Sequence, residues 1–378
     1  MERIGTWSFP TAIHFGAGRM AELKDAVAKA GMERPLFVTD PVLSAMPLAD
    51  TVRAFLPPGS RLFDGVSPNP KDTDLEAGIL AYRAGRHDGV VAFGGGSAMD
   101  LGKLIAFQAG QSRPVWDFED VADWWTRADA DAIAPVIALP TTAGTGSEVG
   151  RAAVLTNTAE RVKKVIFHPK MLPVAVIADP VLTAGMPRPV TAGTGMDAFA
   201  HCLEAYCAPG YHPICAGIAL EGMRLVKEAL PRACAEPGDL EARADMMTAA
   251  MAGAIAFQRG LGAIHALSHP IGALYDTHHG TTNAVLTVAV LDWNRPVIEE
   301  RIVRAAAYLG LRPGFDSFLA WVDGLRASIG LPTQLREIGI ERDAFDTIAR
   351  MAPEDPTAGG NPQPVTPDAA LGVLEAAW

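Results

Sequence analysis

The chain has 378 residues, 49% of them hydrophobic and 20% charged, with a formal net charge of −11. That much apolar material supplies a large core and excludes disorder, and the length suits two domains of ordinary size. The acidic balance argues against nucleic acid and anionic membranes as partners, because both demand clustered Lys and Arg.

No apolar run marks a transmembrane helix, which needs about 18 residues. The opening residues Met1 to Pro10 carry no long apolar stretch of the kind a secretory signal needs. Cys202, Cys207, Cys215 and Cys234 lack C-x-x-C spacing and read as reduced, partly buried thiols of a cytoplasmic protein.

In chain order, Trp7 to Phe9 and Ile13 to Phe15 suggest an opening hairpin, followed by the turn Gly16-Ala17-Gly18. Met20 to Ala30 has a helical pattern. Pro35 to Thr39 (PLFVT) reads as a buried strand that stops at Asp40. Asp74 to Ala84 is helical. Gly89 to Phe93 (GVVAF) is another strand, followed at once by Gly94-Gly95-Gly96 and a helix from Ser97 to Ala109. Ala134 to Leu139 is a strand leading into PTTAGTGSE (Pro140 to Glu148), and Val174 to Ala178 (VAVIA) is a further strand. Strands alternating with helices imply a mostly parallel sheet covered on both faces, an α/β fold.

Near Met186-Pro187-Arg188-Pro189 the character changes. Beyond it, helical periodicity runs through 191–207, 213–232, 239–258, 281–292, 297–309, 314–329, 342–352 and 367–377, with Gly and Pro between the segments. This places an α/β domain over 1–187 and an all-helical domain over 188–378. No internal repeat is visible. Residues 353–367 read as a loop before the last helix.

GGGSAMD (Gly94 to Asp100) stands where a strand meets a helix. Glycines let the backbone approach a ligand closely, and a helix N-terminus offers N–H donors and positive potential to a pyrophosphate. Ser97 and Asp100 have the spacing of a capping box. The G-x-G-x-x-G fingerprint is broken by Met99, and an ordinary tight turn fits the same residues. Asp40, at a strand end upstream, has two readings: a partner for a ribose 2′-hydroxyl, which selects NAD over NADP, or the start of a turn with Pro41. PTTAGTGSE is a second Gly/Thr-rich loop after a strand. Lys103 reads either as a phosphate neutraliser or as a solvated helix lysine.

Asp197 and His201 are four residues apart in GMDAFAHCLEAY, as are His265 and His269 in GLGAIHALSHPIGALYDTHHG. Each pair shares one face of a helix. With a further histidine from His278 or His279, the set suits a divalent first-row metal such as Fe(II), Zn(II), Co(II) or Mn(II). HALSH is not the H-E-x-x-H of metalloproteases, since no Glu follows His265.

Taken in order, GGGSAMDLGK, PTTAGTGSEV, GMDAFAHCLEAY and GLGAIHALSHPIGALYDTHHG resemble the iron-containing (group III) alcohol dehydrogenase family. The resemblance implies a dinucleotide-binding α/β domain, a helical metal domain of the dehydroquinate synthase-like kind, and a site in the cleft between them. It implies metal ligands Asp197, His201, His265 and His279, with His269 a non-ligand that assists proton transfer beside the substrate. It places NAD on Asp40, Asn69, Gly95, Gly96, Ser97, Asp100, Thr141, Thr142, Thr145 and Lys164, the last being expected just before a strand. The divalent ion would be Fe(II), with Zn(II) the alternative.

The implied reaction interconverts a small primary alcohol and its aldehyde in a homodimer or larger homo-oligomer. Glycerol dehydrogenase, hydroxyacid–oxoacid transhydrogenase and maleylacetate reductase are neighbouring activities. His278 stands where many relatives carry Pro.

Overall fold

The computed structural model describes residues 5–7 and 11–378. Phe9, expected in the opening hairpin, lies outside the described residues. The chain forms two compact units: Met1–Thr142 with Ser147–Gly185, and Ala143–Gly146 with Met186–Trp378.

The first unit is built on a seven-stranded sheet. Its strands are β1 (Gly5–Trp7), β2 (Ala12–Phe15), β3 (Leu36–Val38), β4 (Arg61–Phe63), β5 (Val90–Gly94), β6 (Val136–Pro140) and β9 (Ala175–Ala178). The strand order is β1-β2-β9-β6-β5-β3-β4. Only the β1–β2 pair is antiparallel; the other pairs are parallel. β3, β5, β6 and β9 are buried along their whole length, as parallel strands covered on both faces must be. Phe37 and Phe93 stack at 5.6 Å in the core beside Ile137, Leu139 and Ile177.

Among the described residues five α-helices belong to this unit: α1 (Leu23–Lys29), α2 (Pro41–Ser44), α3 (Pro47–Arg53), α4 (Asp72–Ala84) and α5 (Gly96–Gln108). Because β6, β5 and β3 are parallel neighbours, the segments after them emerge at one sheet edge. Those segments are Thr141-Thr142, Gly95-Gly96 and Asp40, at the carboxyl ends where open α/β sheets hold ligands.

Several elements depart from the sequence expectation. β4 is only three residues long and begins with Arg61, too short to show a period. α2 and α3 each start on a proline, which read as turn signals. A separate antiparallel hairpin, β7 (Ala152–Asn157) with β8 (Val162–Phe167), was also missed. Its polar pair Lys163-Lys164 interrupts the apolar run that would have marked the second strand.

The second unit is helical: α6 (Arg188–Cys207), α7 (Pro213–Ala235), α8 (Leu240–Ala256), α9 (Ala263–Tyr275), α10 (His279–Tyr308), α11 (Phe315–Ser328), α12 (Phe345–Met351) and α13 (Pro367–Ala376). α6 starts behind Pro187 with a second proline in its first turn, where a missing N–H costs nothing. It is the central helix, packing against α7, α8 and α10, and nearly all of it is buried. The expected helices 281–292 and 297–309 are one continuous α10 that contains Pro296. A proline withdraws one hydrogen bond; packing of α10 on α6, α9 and α11 holds the helix through it. Among the described residues no helix is long and apolar enough to cross a membrane.

Candidate metal centre and nucleotide loop

The first unit presents a glycine-lined helix start at the carboxyl ends of its parallel strands. Gly94 has φ +150°, and a side chain there would meet the Ala98 methyl at 2.7 Å, so only glycine is accommodated. Gly95 caps α5 with no side-chain hydrogen bond to the first turn, and Thr142 lies against it, 3.1 Å from where a Cβ would stand. Thr141 N donates to Gly94 O at 2.8 Å, tying the two loops together. A glycine-lined helix start without a side-chain cap suits a phosphate group.

Asp40 Oδ1 accepts from Val42 N and Leu43 N, both at 2.9 Å, so Asp40 caps α2 and the turn reading is realised. Its Oδ2 lies on the side of Gly94, 3.8 Å from the position of a Cβ there. That oxygen is the one turned toward the glycine-lined helix start.

Three expectations need correction. Ser97 and Asp100 form no capping box: Ser97 Oγ donates to Pro68 O. Asp100 is a frame residue, since its two oxygens accept from Ser147 Oγ at 2.5 Å and Val154 N at 2.9 Å. Lys103 is neither solvated nor aimed at a phosphate. It is 1% exposed and donates to Ser147 O at 3.0 Å and to Ala152 O. Lys164 lies inside β8 and pairs with Glu119 and Glu160, each at 2.9 Å. The lysine beside Asn69 is Lys163, whose Nζ donates to Asn69 Oδ1 at 2.8 Å. Consecutive strand residues face opposite ways, so the two lysines cannot share this role. Thr145 belongs to the short stretch that packs with the helical unit, where Gly144 meets Thr194 and Gly146 meets Ala250.

In the second unit α6, α9 and α10 bring the proposed ligands together. Asp197 Oδ1 lies 3.5 Å from His279 Nε2, 3.7 Å from His265 Nε2 and 3.9 Å from His201 Nε2. Donor atoms of Asp197, His265 and His279 lie within 4.8 Å of one another. His201 flanks them, stacked on His265 at 4.6 Å between ring centres. His278 instead caps α10, with Nδ1 accepting from Thr281 N at 3.3 Å.

Close helix approach makes this convergence possible. Gly280 sits against the Gly193 backbone, and Gly253 against His201. Phe257 packs edge-on to His201 at 5.3 Å. Trp125 packs on Phe167 and His168 in the first unit.

Sequence reasoning missed three supporting residues. Glu204 Oε2 bonds His265 Nδ1 at 2.5 Å, and its Oε1 accepts from Ile264 N at 2.7 Å. Such a carboxylate fixes a ligand imidazole with its other nitrogen toward the ion. Glu204 continues the Asp197–His201 helix face by one further turn, a signal available in the sequence. Asn283, one turn past His279, donates through Nδ2 to Asp197 Oδ1 at 2.8 Å and lies 3.2 Å from both His265 Nε2 and His279 Nε2. Asp355 accepts from His269 Nδ1 at 2.8 Å.

The electrostatics favour a cation here. Burial alone would raise the Asp197 pKa, but His201, His279 and His265 hold it well below the usual carboxylate range. Burial pushes His201 down to about 4, keeping it neutral despite Asp197. Burial opposes charge on His265 too, yet Glu204 and Asp197 drive its pKa up to about 10. The cluster therefore draws one positive charge to its centre. One carboxylate and several imidazole nitrogens, with no Lys or Arg among the described residues in contact with Asp197, make a donor set that fits a divalent metal, whose charge takes the place of the proton that Glu204 and Asp197 draw to His265.

The sequence-family model for iron-containing alcohol dehydrogenases matches residues 10–180, and the model of that family's C-terminal part matches 191–378. The chain belongs to the iron-containing alcohol dehydrogenase family. It is thus an NAD-dependent alcohol oxidoreductase, of a family that uses a divalent metal.

Among its relatives is a 4-hydroxybutyrate dehydrogenase of Cupriavidus necator, 39% identical over 93% of this chain and 94% of the relative. An NAD-dependent methanol dehydrogenase of Bacillus methanolicus is 31% identical over 94% and 95%. The crystal structure of a 1,3-propanediol oxidoreductase superposes with a TM-score of 0.91 at 32% identity, covering all of both chains.

Proposed function

We propose that this alcohol dehydrogenase interconverts a small primary alcohol and its aldehyde at a divalent metal held by Asp197, His201, His265 and His279. The observation that carries the reading is the approach of three imidazole nitrogens to one buried carboxylate oxygen, at 3.5 to 3.9 Å. When bound, Fe(II), or Zn(II) in its place, supplies Lewis acidity toward the substrate oxygen. NAD supplies the hydride acceptor or donor. The balanced reaction is alcohol plus NAD+ giving aldehyde, NADH and a proton.

The chain's own residues do the rest. Glu204 holds His265 in the tautomer that leaves Nε2 as a ligand. Asn283 orients Asp197. His269, a non-ligand beside His265 and His279, carries the proton exchanged with the substrate hydroxyl. Gly94 to Gly96 cradle the pyrophosphate, with Thr142 beside them. Asn69 and Lys163, rather than Lys164, complete the cofactor side. The full Asp/His/His/His set favours this reading over a metal-independent maleylacetate reductase. The 39% identity to a 4-hydroxybutyrate dehydrogenase is the reason to include an ω-hydroxy acid beside simple alcohols and diols in the substrate panel.

The test is NADH formation with a panel of short primary alcohols, diols and 4-hydroxybutyrate, using NAD+ or NADP+. The wild type should turn over at least one of them and prefer NAD+. Asp40→Gly removes the carboxylate that repels a 2′-phosphate, so the NAD+/NADP+ ratio of kcat/KM should fall at least about tenfold, the effect of roughly 1.4 kcal/mol of discrimination. An unchanged ratio would remove Asp40 from the cofactor site, and no turnover of any alcohol in the panel would count against the substrate class.

A further inference from the structure

Asp355 lies outside every motif that carries the family resemblance, in the segment between α12 and α13. Its side chain is 6% exposed, and its two oxygens are divided between two tasks. Oδ1 accepts from Thr357 N at 2.9 Å and from Thr357 Oγ1 at 2.5 Å, closing a local turn. Oδ2 is 2.8 Å from Nδ1 of His269, 86 residues away in the sequence. The His269 ring stacks on His279 at 5.4 Å and meets His265 edge-on at 5.8 Å.

A carboxylate can only accept, so the hydrogen of this bond belongs to His269 Nδ1. In the neutral ring the other nitrogen, Nε2, then carries the lone pair. An imidazole without such a partner places its hydrogen on either nitrogen and turns about its side-chain bonds. A partner carboxylate removes both freedoms, as Glu204 does for His265.

We propose that Asp355 is a positioning residue for the alcohol dehydrogenase reaction, fixing His269 as the Nδ1–H tautomer with the Nε2 lone pair turned away from Asp355. The site then holds two carboxylate–imidazole pairs with different tasks: Glu204–His265 for the metal and Asp355–His269 for the proton. This assignment rests on His269 serving the substrate, as set out above. Thr357 holds Asp355 through the other oxygen, so the turn and the histidine contact can be broken separately.

The experiment uses zinc-loaded protein labelled with 15N-histidine, read by long-range 1H–15N correlation, with steady-state kinetics on the same samples. In the wild type, His269 should show a protonated Nδ1 and an unprotonated Nε2. Asp355→Ala should shift the ring toward the Nε2–H form and lower kcat at least about tenfold, the lower end of what losing an orienting partner costs. Metal content and KM for NAD+ should hold.

In Asp355→Asn, which preserves shape, the charge-assisted bond is lost, so the His269 Nδ1 proton should move upfield or vanish. Thr357→Val should lower the melting temperature and leave tautomer and kcat unchanged. A His269 signature and kcat unmoved in both Asp355 variants would overturn the proposal, as would a Thr357→Val variant that reproduces the Asp355→Ala kinetics. The tautomer readout stands without turnover, so a wild type inactive on every alcohol would refute the proposed function and not this assignment.

Discussion

Replacing His265 by Ala should strip the protein of metal and reduce turnover by at least about 1000-fold, the equivalent of the several kcal/mol that Lewis-acid charge stabilisation supplies. His265 is the most deeply engaged of the candidate ligands. Its Nε2 faces Asp197 at 3.7 Å, and its Nδ1 is bonded to Glu204 at 2.5 Å. Removing the ring withdraws a ligand and leaves two buried carboxylates without their shared partner, and a buried charge stripped of its partner costs about 3–5 kcal/mol.

Reduced stability must therefore be separated from lost binding. Glu204→Gln does this: it retains the ring and its shape and removes only the anionic acceptor. Metal affinity should then drop by about 10–100-fold, the usual cost of losing an outer-shell partner. Mass-spectrometric metal analysis and equilibrium dialysis check both variants. Full metal occupancy in His265→Ala would show that the ion is held elsewhere.

The second large effect is expected at Gly280, which contributes no chemistry. A Cβ at this position would stand 2.1 Å from the Gly193 carbonyl oxygen and 3.1 Å from Asp197 Cβ. The obstruction is backbone, so no side-chain rotation relieves it. Gly280→Ala must push α10 away from α6, separating His279 from Asp197. Overpacking of this kind typically costs about 1–3 kcal/mol, and a shift on the order of 1 Å in a reacting group can cost about 100-fold in rate. Gly280→Ala should lower the melting temperature and weaken metal binding together. Wild-type values of both would mean that α6 and α10 separate without disturbing the ligands.

The parts of this molecule legible in the sequence are those governed by local spacing. Asp197 with His201, and His265 with His269, declare themselves at four-residue intervals, and GVVAF followed by GGG marks a strand entering a helix. Glu204 is legible on the same terms, one turn beyond His201 on the helix face that carries Asp197. Asn283 stands one turn after His279 and was equally within reach of spacing.

What spacing could not show is what tertiary packing decides. Asp355 meets His269 across 86 residues of chain. Lys163 and Lys164 are chemically alike, and only the strand register of β8 tells which one reaches Asn69. Asp100 has the right offset from Ser97 for a cap, but the Ser147 turn and β7 offer it better donors. Pro296 reads as a break in sequence, yet α10 runs through it because three neighbouring helices hold it.

One divalent cation, gathered by Asp197, His201, His265 and His279, is expected to be required for alcohol oxidation. That requirement is tested most directly by preparing the protein anaerobically, dialysing it against a chelator, and adding back Fe(II) or Zn(II) while following NADH. The protein should hold about one metal ion per chain before dialysis, lose turnover with the metal, and recover it on add-back. Undiminished turnover in protein shown to be metal-free would contradict the requirement.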